Sequence, residues 1–288
     1  MKTEEIQMRD PFVYVENDVY YLYGSTDADI WKGEGGGFTA YKGRDLENWE
    51  SIGNIFDKPE TFWGTQNFWA PEMHAYKGKY YLFASFKAPG VHRGTAILKA
   101  DSPEGPFRPW GSKRVTPEEW DCLDGTLYVE NGVPYLIFCH EWVQIGDGEM
   151  CCVRLKSDLS GTDGEVTRLF TASEARWTRC LQRPGITNGY VTDGPNMYRL
   201  QNGKLGMLWS SLSPSGYAIG FALSDNGSVT GHWSQADEPI FDRDGGHGMI
   251  FRALDGTLRL SIHAPNHTPD ERPLFLTVRE TENGIARA

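Results

Sequence analysis

The sequence predicts an all-β fold, a five-bladed β-propeller, from a hairpin pattern that recurs five times and from a composition that suits strands and tight turns. Aromatic residues make up 13% of the 288-residue chain, and there are 33 glycines. Aromatic side chains favour strands, and glycine supplies the backbone conformations that tight turns need. Amphipathic helical periodicity is absent over any long stretch. We therefore expect strands joined by turns from end to end.

The recurring hairpin begins with a polar turn and continues into a strand of aromatic and aliphatic residues. Three of the turns contain Asn-Gly or Asp-Gly, which fit a type I′ turn because both of its central residues need positive φ. The five copies lie roughly 50 to 70 residues apart, a spacing typical of propeller blades with loop insertions. In chain order they occupy residues 17–25, 77–85, 131–139, 202–210 and 255–263.

Further strands follow the hairpins and complete each repeat. Strand-like runs that end in polar turns occur at residues 41–46, 155–159 and 222–226. Four short strands in each of five repeats close into a ring that leaves few exposed sheet edges. A β-sandwich is the alternative fold, but it does not account for a repeat of this length. Neither a linker nor a low-complexity segment interrupts the pattern, so we expect one domain over residues 1–288.

Charge and hydropathy argue against two classes of partner. The formal net charge is -11 at pH 7, and an acidic surface repels the phosphate backbone of nucleic acids. No apolar stretch approaches the length of a membrane span. We therefore expect neither nucleic acid nor a membrane as partner, and the sequence leaves the oligomeric state open.

The cysteines and the first residues bear on the compartment. The five cysteines are an odd set without a C-x-x-C pair, which argues against a disulfide framework or a zinc site. The start of the chain lacks the apolar segment of a signal peptide. These features favour free thiols in a cytoplasmic protein, although a secreted protein whose signal peptide had been removed would look the same.

Acidic residues stand near the start of the first strand in three of the repeats. In a propeller these strands begin near one end of the central channel, so we expect Asp10, Asp124 and Asp193 to converge there, with His247 at the corresponding point of the fifth repeat. Each aspartate taken alone is more often a turn former. Together they predict a site where like charges keep one carboxyl group protonated. Hydrolysis of a glycosidic bond by a general acid and a general base uses such a site.

Five short motifs occur in a characteristic order: Arg-Asp-Pro-Phe at 9–12, Trp-Ala-Pro-Glu at 69–72, Asp-Ser-Pro-Glu-Gly-Pro-Phe at 101–107, Leu-Asp-Gly at 123–125 and Gly-His-Gly at 246–248. In these motifs the chain resembles glycoside hydrolase family 43 over essentially its whole length. The resemblance implies an inverting hydrolase in which Asp10 is the general base and Asp124 raises the pKa of the acid and orients it. It also implies that His247 lies on the axis beside a bound Ca²⁺ or a water cluster, and no other cofactor is expected.

The general acid has two candidates. The family's acid is a glutamate in a Glu-Gly-Pro motif, whereas the matching motif here is Asp-Gly-Pro and contains Asp193. Aspartate is shorter by one methylene group, so either the pocket is drawn in or another residue is the acid. Glu141, at the end of a strand that returns toward the channel mouth, is the alternative. The sequence favours the two about equally.

Side chains near the acids are the candidates for sugar binding, because flat aromatic rings stack well on sugar faces. The predicted substrate-binding residues are Trp31, Phe68, Trp69, Glu72, His140 and Trp142. For any one of the aromatic rings, packing in the core is the more frequent role. The motif that contains Trp69 and Glu72 also suits packing between blades.

The leading prediction is an exo-acting, inverting hydrolase that removes α-L-arabinofuranosyl or β-D-xylosyl residues from plant-derived oligosaccharides or polysaccharides. Other members of the family act on arabinan or galactan, and no motif here separates these substrates. The shortened acid supports a second hypothesis, a catalytically silent propeller that binds carbohydrate. A scaffold for protein partners is a third, but it would not require acids at the start of several blades.

Overall fold

Five four-stranded antiparallel sheets follow one another along the chain in the computed structural model, which describes residues 1–288. They are arranged as the five blades of a β-propeller, so the predicted fold class is confirmed. The five predicted turn-and-strand segments are the first hairpin turn and the second strand of blades I to V.

The strands of each blade are contiguous in the sequence. Blades I to III contain β1 (Arg9–Glu16), β2 (Val19–Ser25), β3 (Thr39–Gly43), β4 (Glu50–Asn54), β5 (Gln66–Tyr76), β6 (Lys79–Ala88), β7 (Val91–Ala100), β8 (Arg108–Pro109), β9 (Cys122–Glu130), β10 (Val133–His140), β11 (Glu149–Arg154) and β12 (Thr167–Thr171). A separate hairpin, β13 (Leu181–Arg183) and β14 (Ile186–Gly189), precedes blade IV. Blades IV and V contain β15 (Asp193–Arg199), β16 (Leu205–Ser213), β17 (Gly216–Ser224), β18 (Trp233–Gln235), β19 (Gly246–Arg252), β20 (Leu258–Ala264), β21 (Arg272–Thr281) and β22 (Gly284–Arg287).

Helical structure is limited to three short segments. They are a one-turn α-helix, α1 (Trp142–Ile145), and two 3₁₀ turns, Thr3–Glu5 and Ala172–Glu174. None of these helices has the length and apolarity required to cross a bilayer. All five cysteines are free, and four of them are buried.

The first strand of every blade carries an irregularity near its start, where the pairing with the second strand shifts register. One residue with a left-handed backbone recurs at the same point of each first strand, and β5 has a second such residue, Asn67 (φ 50°), in an additional bulge. The recurring residues are Asp10 (φ 56°), Ala70 (φ 46°), Asp124 (φ 56°), Gly194 (φ 53°) and His247 (φ 48°). A bulge bends a strand and re-aims its side chains, and here it recurs in all five blades at the channel mouth.

A ring of hydrogen bonds joins these five positions to the preceding blades. In four blades the amide of the left-handed residue donates to a side chain on the second strand of the blade before it. The pairs are Ala70 to Ser25 Oγ (2.8 Å), Asp124 to Ser85 Oγ (2.8 Å), His247 to Ser210 Oγ (2.8 Å) and Asp10 to His263 Nδ1 (3.1 Å). The last of these pairs connects blade I to blade V, so the ring closes without an exchanged strand.

The hydrophobic core lies between adjacent blades. Its largest cluster has 26 buried residues, drawn from blades I, II and V and the loops beside them. Phe68 is part of this cluster, 1% exposed and surrounded by Phe38, Phe56, Phe62 and Phe86. This packing between blades positions the polar side chains of the channel mouth, which are described next.

Candidate active site

A pocket of about 490 Å³ lies over the starts of the first strands, and it has a polar floor and a partly aromatic wall. The predicted residues that line it are Asp10, Trp31, Trp69, Asp124, Glu141, Trp142, Asp193 and His247. The structure therefore brings all four predicted catalytic carboxylates to one cavity.

Asp10 lies at the start of β1 and is only 8% exposed. Ser25 Oγ donates to its Oδ2 at 2.6 Å, and Nδ1 of His247 lies 3.1 Å from its Oδ1. Burial alone would raise the pKa of this carboxyl group, but His247, His263, Arg9 and the Ser25 hydroxyl together bring the pKa below its ordinary value. Asp10 is therefore ionised near neutral pH, the state that a general base requires.

His263, at the end of β20, is a supporting residue that the sequence analysis did not identify. Its Nδ1 accepts the amide N–H of Asp10, and its Nε2 lies 3.2 Å from Asn266 Oδ1. Burial, with the nearby charge of Arg9, lowers the pKa of His263 to about 3. The ring is therefore neutral, with the proton on Nε2, and it fixes the backbone of the base.

Asp124 and Asp193 have the opposite electrostatic environment to that of Asp10. Burial and the neighbouring carboxylates Asp193 and Asp10 raise the pKa of Asp124 well above its ordinary value, against an opposing effect of His247. Burial, and to a smaller extent Asp10, raises the pKa of Asp193, although His247, Tyr217 and Arg9 oppose the shift. Carboxyl groups this close share protons, so a proton is retained beside the ionised Asp10.

His247 lies among these acids. Burial disfavours its charged form, but Asp10, Asp124 and Asp193 outweigh that effect and raise its pKa. Its Nδ1 lies 3.1 Å from Asp10 Oδ1 and 3.7 Å from Asp124 Oδ2. His247 thus connects the base and the second aspartate.

The predicted equivalence of the three aspartates is partly wrong. Asp10 and Asp124 are the left-handed residues of their blades, as is His247, but the equivalent residue of blade IV is Gly194. Asp193 is one position earlier and corresponds to Arg9 and Leu123, since all three pair with the second strand at the start of the bulge. Its side chain therefore approaches the cavity from a different backbone position.

Glu141, the alternative acid, is bound to a cation. It follows β10 and is 5% exposed, and Nη1 of Arg93 contacts both of its carboxylate oxygens. Burial raises the pKa of Glu141, and Arg93 opposes that shift. A carboxylate held by a buried guanidinium must break this pair before it can carry a proton.

Tryptophan rings and arginine side chains form much of the pocket wall. Trp31 is 52% exposed, and its ring meets that of Trp69 edge-on at 5.3 Å. The guanidinium of Arg93 lies 4.1 Å from the centroid of Trp69, and that of Arg183 lies 5.0 Å from the centroid of Trp142. Amphipathic rings in this setting suit a sugar with apolar and hydroxylated faces.

Three predicted substrate-binding residues do not line the pocket. Phe68 packs in the core as described above, and hydrophobic packing with its phenylalanine neighbours explains its position. Glu72 is 6% exposed and faces His74 deeper in the channel, with Oε2 and Nε2 3.4 Å apart. His140 stacks flat on Trp120, with centroids 4.1 Å apart, and lies 3.3 Å from Glu149. Phe68, Glu72 and His140 therefore lie outside the lining of this pocket.

The sequence analysis missed several pocket residues. Arg9, Lys87, Arg93, Arg183 and Tyr217 all line the cavity. Arg9 stands in a motif that had been noticed only for its aspartate. The others lie on second or third strands or on the extra hairpin, where no local pattern indicates a site.

The residues around His247 do not form a calcium cage. Calcium takes six to eight oxygen ligands, and no group of three or more His, Cys, Asp or Glu side chains is arranged to hold a metal ion. Nε2 of His247 is buried without a hydrogen-bond partner, but one nitrogen does not make a site for this ion. The calcium prediction still rests on the resemblance alone, and no step below passes through a metal.

Fold and pocket together define a five-bladed propeller with a carboxylate cluster on its axis. The chain belongs to glycosyl hydrolases family 43, because the model of that family matches residues 5–282.

Solved and curated relatives agree with this membership. A solved structure described as the endo-arabinase from Bacteroides thetaiotaomicron VPI-5482 is 42% identical, with a TM-score of 0.91, and the match covers 99% of this chain and 98% of that one. Alpha-L-arabinofuranosidase 43 of Humicola insolens is 25% identical over 82% of this chain and 48% of its own length. The extracellular exo-alpha-(1->5)-L-arabinofuranosidase ArbA of Cellvibrio japonicus is 24% identical over 54% of this chain and 46% of its own. The chain thus spans about half the length of these curated relatives.

Proposed function

We propose that this protein is an inverting glycoside hydrolase that removes α-L-arabinofuranosyl residues from the ends of plant-derived oligosaccharides or polysaccharides. The observation that carries the proposal is that Asp10, Asp124 and Asp193 line one pocket in different surroundings, which lower the pKa of Asp10 and raise those of Asp124 and Asp193. Acid and base catalysis at the same pH requires two carboxyl groups whose pKa values are pushed apart.

In the proposed reaction, ionised Asp10 accepts a proton from water as the water oxygen attacks the anomeric carbon. The bond from that carbon to the departing oxygen breaks, and protonated Asp193 gives its proton to that oxygen. Attack opposite the leaving group inverts the configuration of the sugar. Asp193 raises the pKa of Asp124, so the two carboxyl groups share the retained proton as a pair.

We assign the acid to Asp193 in preference to Glu141. Asp193 shares the pocket floor with the base and makes no ion pair, whereas both oxygens of Glu141 contact Arg93. The leaving group tests the choice, because a good leaving group needs little acid assistance. Asp193→Asn is expected to recover on activated aryl glycosides far more than on natural oligosaccharides. Selective recovery of Glu141→Gln in its place would move the acid to that residue.

The sugar is proposed from the relatives. Those named above are described as acting on arabinose-containing substrates, and both exo- and endo-acting descriptions occur among them. A β-D-xylosyl substrate is the alternative from the same family. Release of 4-nitrophenol from the α-L-arabinofuranoside and the β-D-xyloside, together with product sizes from linear and branched arabinan, separates these cases.

Asp10→Asn tests the mechanism as a whole. The amide cannot accept a proton from water, so hydrolysis is expected to fall by about 10³-fold or more, while circular dichroism is unchanged. The order of magnitude is that of losing a general base in a coupled site. Proton NMR of the first-formed anomer of the wild-type product checks inversion. Unchanged turnover in a folded Asp10→Asn variant would contradict the assignment of Asp10 as the general base.

A catalytically silent sugar-binding propeller is the second candidate, favoured by one observation. The acid position holds an aspartate, one methylene shorter than the glutamate of the family motif. This candidate predicts binding of arabino-oligosaccharides by calorimetry without any release of product over long incubation. Turnover that Asp10→Asn abolishes would exclude it.

The place of action is also a proposal. The free cysteines suit a cytoplasmic enzyme that acts on short oligosaccharides, whereas the Cellvibrio relative is described as extracellular. Fractionation of the native organism, with the protein detected by antibody, decides between the two.

A further inference from the structure

Tyr217 on β17 touches both halves of the pocket floor. It is 2% exposed, and its hydroxyl donates to Asp193 Oδ2 at 2.9 Å. Its ring stacks on His263 with centroids 5.5 Å apart and 23° between planes. His263 in turn accepts the amide of Asp10. One phenol therefore contacts the proposed acid directly and the support of the base through its ring.

We propose that Tyr217 is a positioning residue that directs the acidic proton of Asp193 to Oδ1 and holds Asp193 in a fixed position relative to Asp10. The inference rests on the proposed function, in that Asp193 is taken as the acid. Tyr217 does not itself exchange a proton with the substrate.

The hydrogen-bond chemistry of the pair supports this role. Burial raises the pKa of Tyr217 well above its ordinary value, so the phenol keeps its proton and donates it. Oδ2 of Asp193 is then an acceptor, and the carboxylic proton belongs on Oδ1, which makes no hydrogen bond within the protein. Oδ1 is thus free to serve a departing oxygen in the cavity.

Neighbouring residues restrict the position of the Tyr217 ring. A methyl group added at Gly246 would lie 2.9 Å from Ser210 Oγ and 3.0 Å from the tyrosine ring, so the glycine leaves room for both. The backbone is held as well, because Gly245 N–H donates to its carbonyl at 2.9 Å and its own N–H donates to Asp244 Oδ1 at 3.3 Å. A fixed phenol is what a shortened acid needs, since aspartate reaches less far into the pocket than glutamate.

The test compares Tyr217→Phe with wild type on two substrates that share a sugar and differ in leaving group. For phenyl α-L-arabinofuranoside, kcat/KM is expected to fall about 10- to 100-fold, the range expected when a buried acceptor loses its hydrogen-bond partner. For the 4-nitrophenyl glycoside, the fall is expected to be less than about threefold, because that leaving group departs without protonation. KM for either substrate stays within about twofold.

Tyr23→Phe is the matched control. Its hydroxyl is also buried and donates at 2.7 Å, but to the carbonyl of Pro103 in the core. It is expected to show neither loss nor leaving-group dependence. Gly246→Ala is the second variant, because it displaces the ring while keeping the hydroxyl, and the same leaving-group dependence is expected. Its methyl group also meets Ser210 Oγ, which accepts the amide of His247, so Ser210→Ala is measured beside it and is expected to lack that dependence.

Equal losses on both substrates, in Tyr217→Phe or in Gly246→Ala if only that variant folds, would overturn the positioning role. Asp193→Asn run in parallel separates the two failures. If Asp193→Asn recovers on the nitrophenyl glycoside but Tyr217→Phe shows no selectivity, only the role of Tyr217 falls. If Asp193→Asn does not recover either, the acid assignment falls and the present inference falls with it.

Discussion

The amide N–H of Gly194 donates to Oδ2 of Asp124 at 3.0 Å. In the other four blades the corresponding amide is bound by a serine or histidine on the second strand of the preceding blade. At this junction that second-strand position holds Cys139. A thiol is a weak acceptor, so the carboxylate of Asp124 takes its place. The ring that closes the propeller thereby orients one of the proposed catalytic acids.

Placing a hydroxyl group at residue 139 is expected to release Asp124 from its hydrogen bond with the amide of Gly194. In Cys139→Ser the serine Oγ can accept from Gly194, as serines do at three other junctions. Asp124 then loses a donor that favours its ionised form, so its pKa rises further. The expected result is a folded enzyme whose kcat/KM profile has its alkaline limb moved to higher pH.

Cys139→Ala is the control for this change, because alanine offers no acceptor and leaves the amide on Asp124. A pH profile measured from about pH 4 to 9 distinguishes the variants. If serine and alanine give the same alkaline limb, then Gly194 does not influence the titration of Asp124.

The second prediction concerns the pH dependence of stability that follows from burying Asp124. The folded-state pKa of Asp124 is raised above its ordinary value near 3.8, so the native state binds this proton more tightly than the unfolded state does. Its contribution to stability is therefore lost as pH rises from about 4 toward the folded pKa. Asp124→Asn has no proton to lose and keeps an acceptor for Gly194.

Asp124→Asn is thus expected to have a higher Tm than wild type at pH 7, by about 2–4 °C for each kcal/mol recovered, with much lower activity. The gain is expected to vanish below about pH 4, where the wild-type carboxyl group is protonated in both states. Scanning calorimetry at pH 3.5, 5 and 7 measures it. A Tm difference independent of pH would contradict the raised pKa.

Local signals predicted the blades well because each blade hairpin is specified by neighbours in sequence. The turn at Asn202-Gly203, for example, needs only two residues with positive φ, and β15 and β16 pair across it. Local sequence does not specify the exact position of the bulge in the first strand. The left-handed residue there is Asp10, Ala70, Asp124, Gly194 or His247 in the five blades. No residue type marks that position, so the sequence placed Asp193 at the wrong point of the bulge.

The residues that hold the catalytic side chains in place could not be predicted from the sequence for another reason. His263 and Tyr217 lie on β20 and β17, in runs that read as ordinary core strands. Their roles depend on which blade packs against which at the axis, and that is a tertiary relationship. The same holds for Arg93, whose contact with Glu141 joins β7 of blade II to the end of blade III.

The third prediction concerns the contribution of the ion pair between Arg93 and Glu141 to the free energy of unfolding. Removing one partner of a buried ion pair leaves an uncompensated charge, at a cost of about 3–5 kcal/mol. Arg93→Met is therefore expected to lower the free energy of unfolding by about that amount. The double variant Arg93→Met/Glu141→Leu is expected to recover most of the loss, because neither charge then remains.

Chemical denaturation of the two variants and of Glu141→Leu gives the three values needed for the cycle. Recovery in the double variant with activity on natural oligosaccharides retained would place Glu141 in the framework of the pocket. A double variant that is stable but active only on nitrophenyl glycosides would instead favour Glu141 as the general acid.

Trp31 and Phe68 were predicted to serve the same purpose, and the structure separates them. Trp31 is 52% exposed at the pocket rim, whereas Phe68 is 1% exposed in a cluster of phenylalanines. Trp31→Ala is expected to raise KM for arabino-oligosaccharides about 5- to 10-fold, since a lost aromatic platform costs about 1 kcal/mol or slightly more. Its free energy of unfolding is expected to change by less than about 0.5 kcal/mol.

Phe68→Ala is expected to behave in the opposite way. Truncating a fully buried phenylalanine costs about 3–5 kcal/mol, so the variant unfolds at a much lower denaturant concentration while KM of its folded fraction stays near that of wild type. Urea titrations and steady-state kinetics on the two variants measure both quantities. A rise in KM for Phe68→Ala without loss of stability would return this residue to the sugar site, and an unchanged KM for Trp31→Ala would remove Trp31 from it.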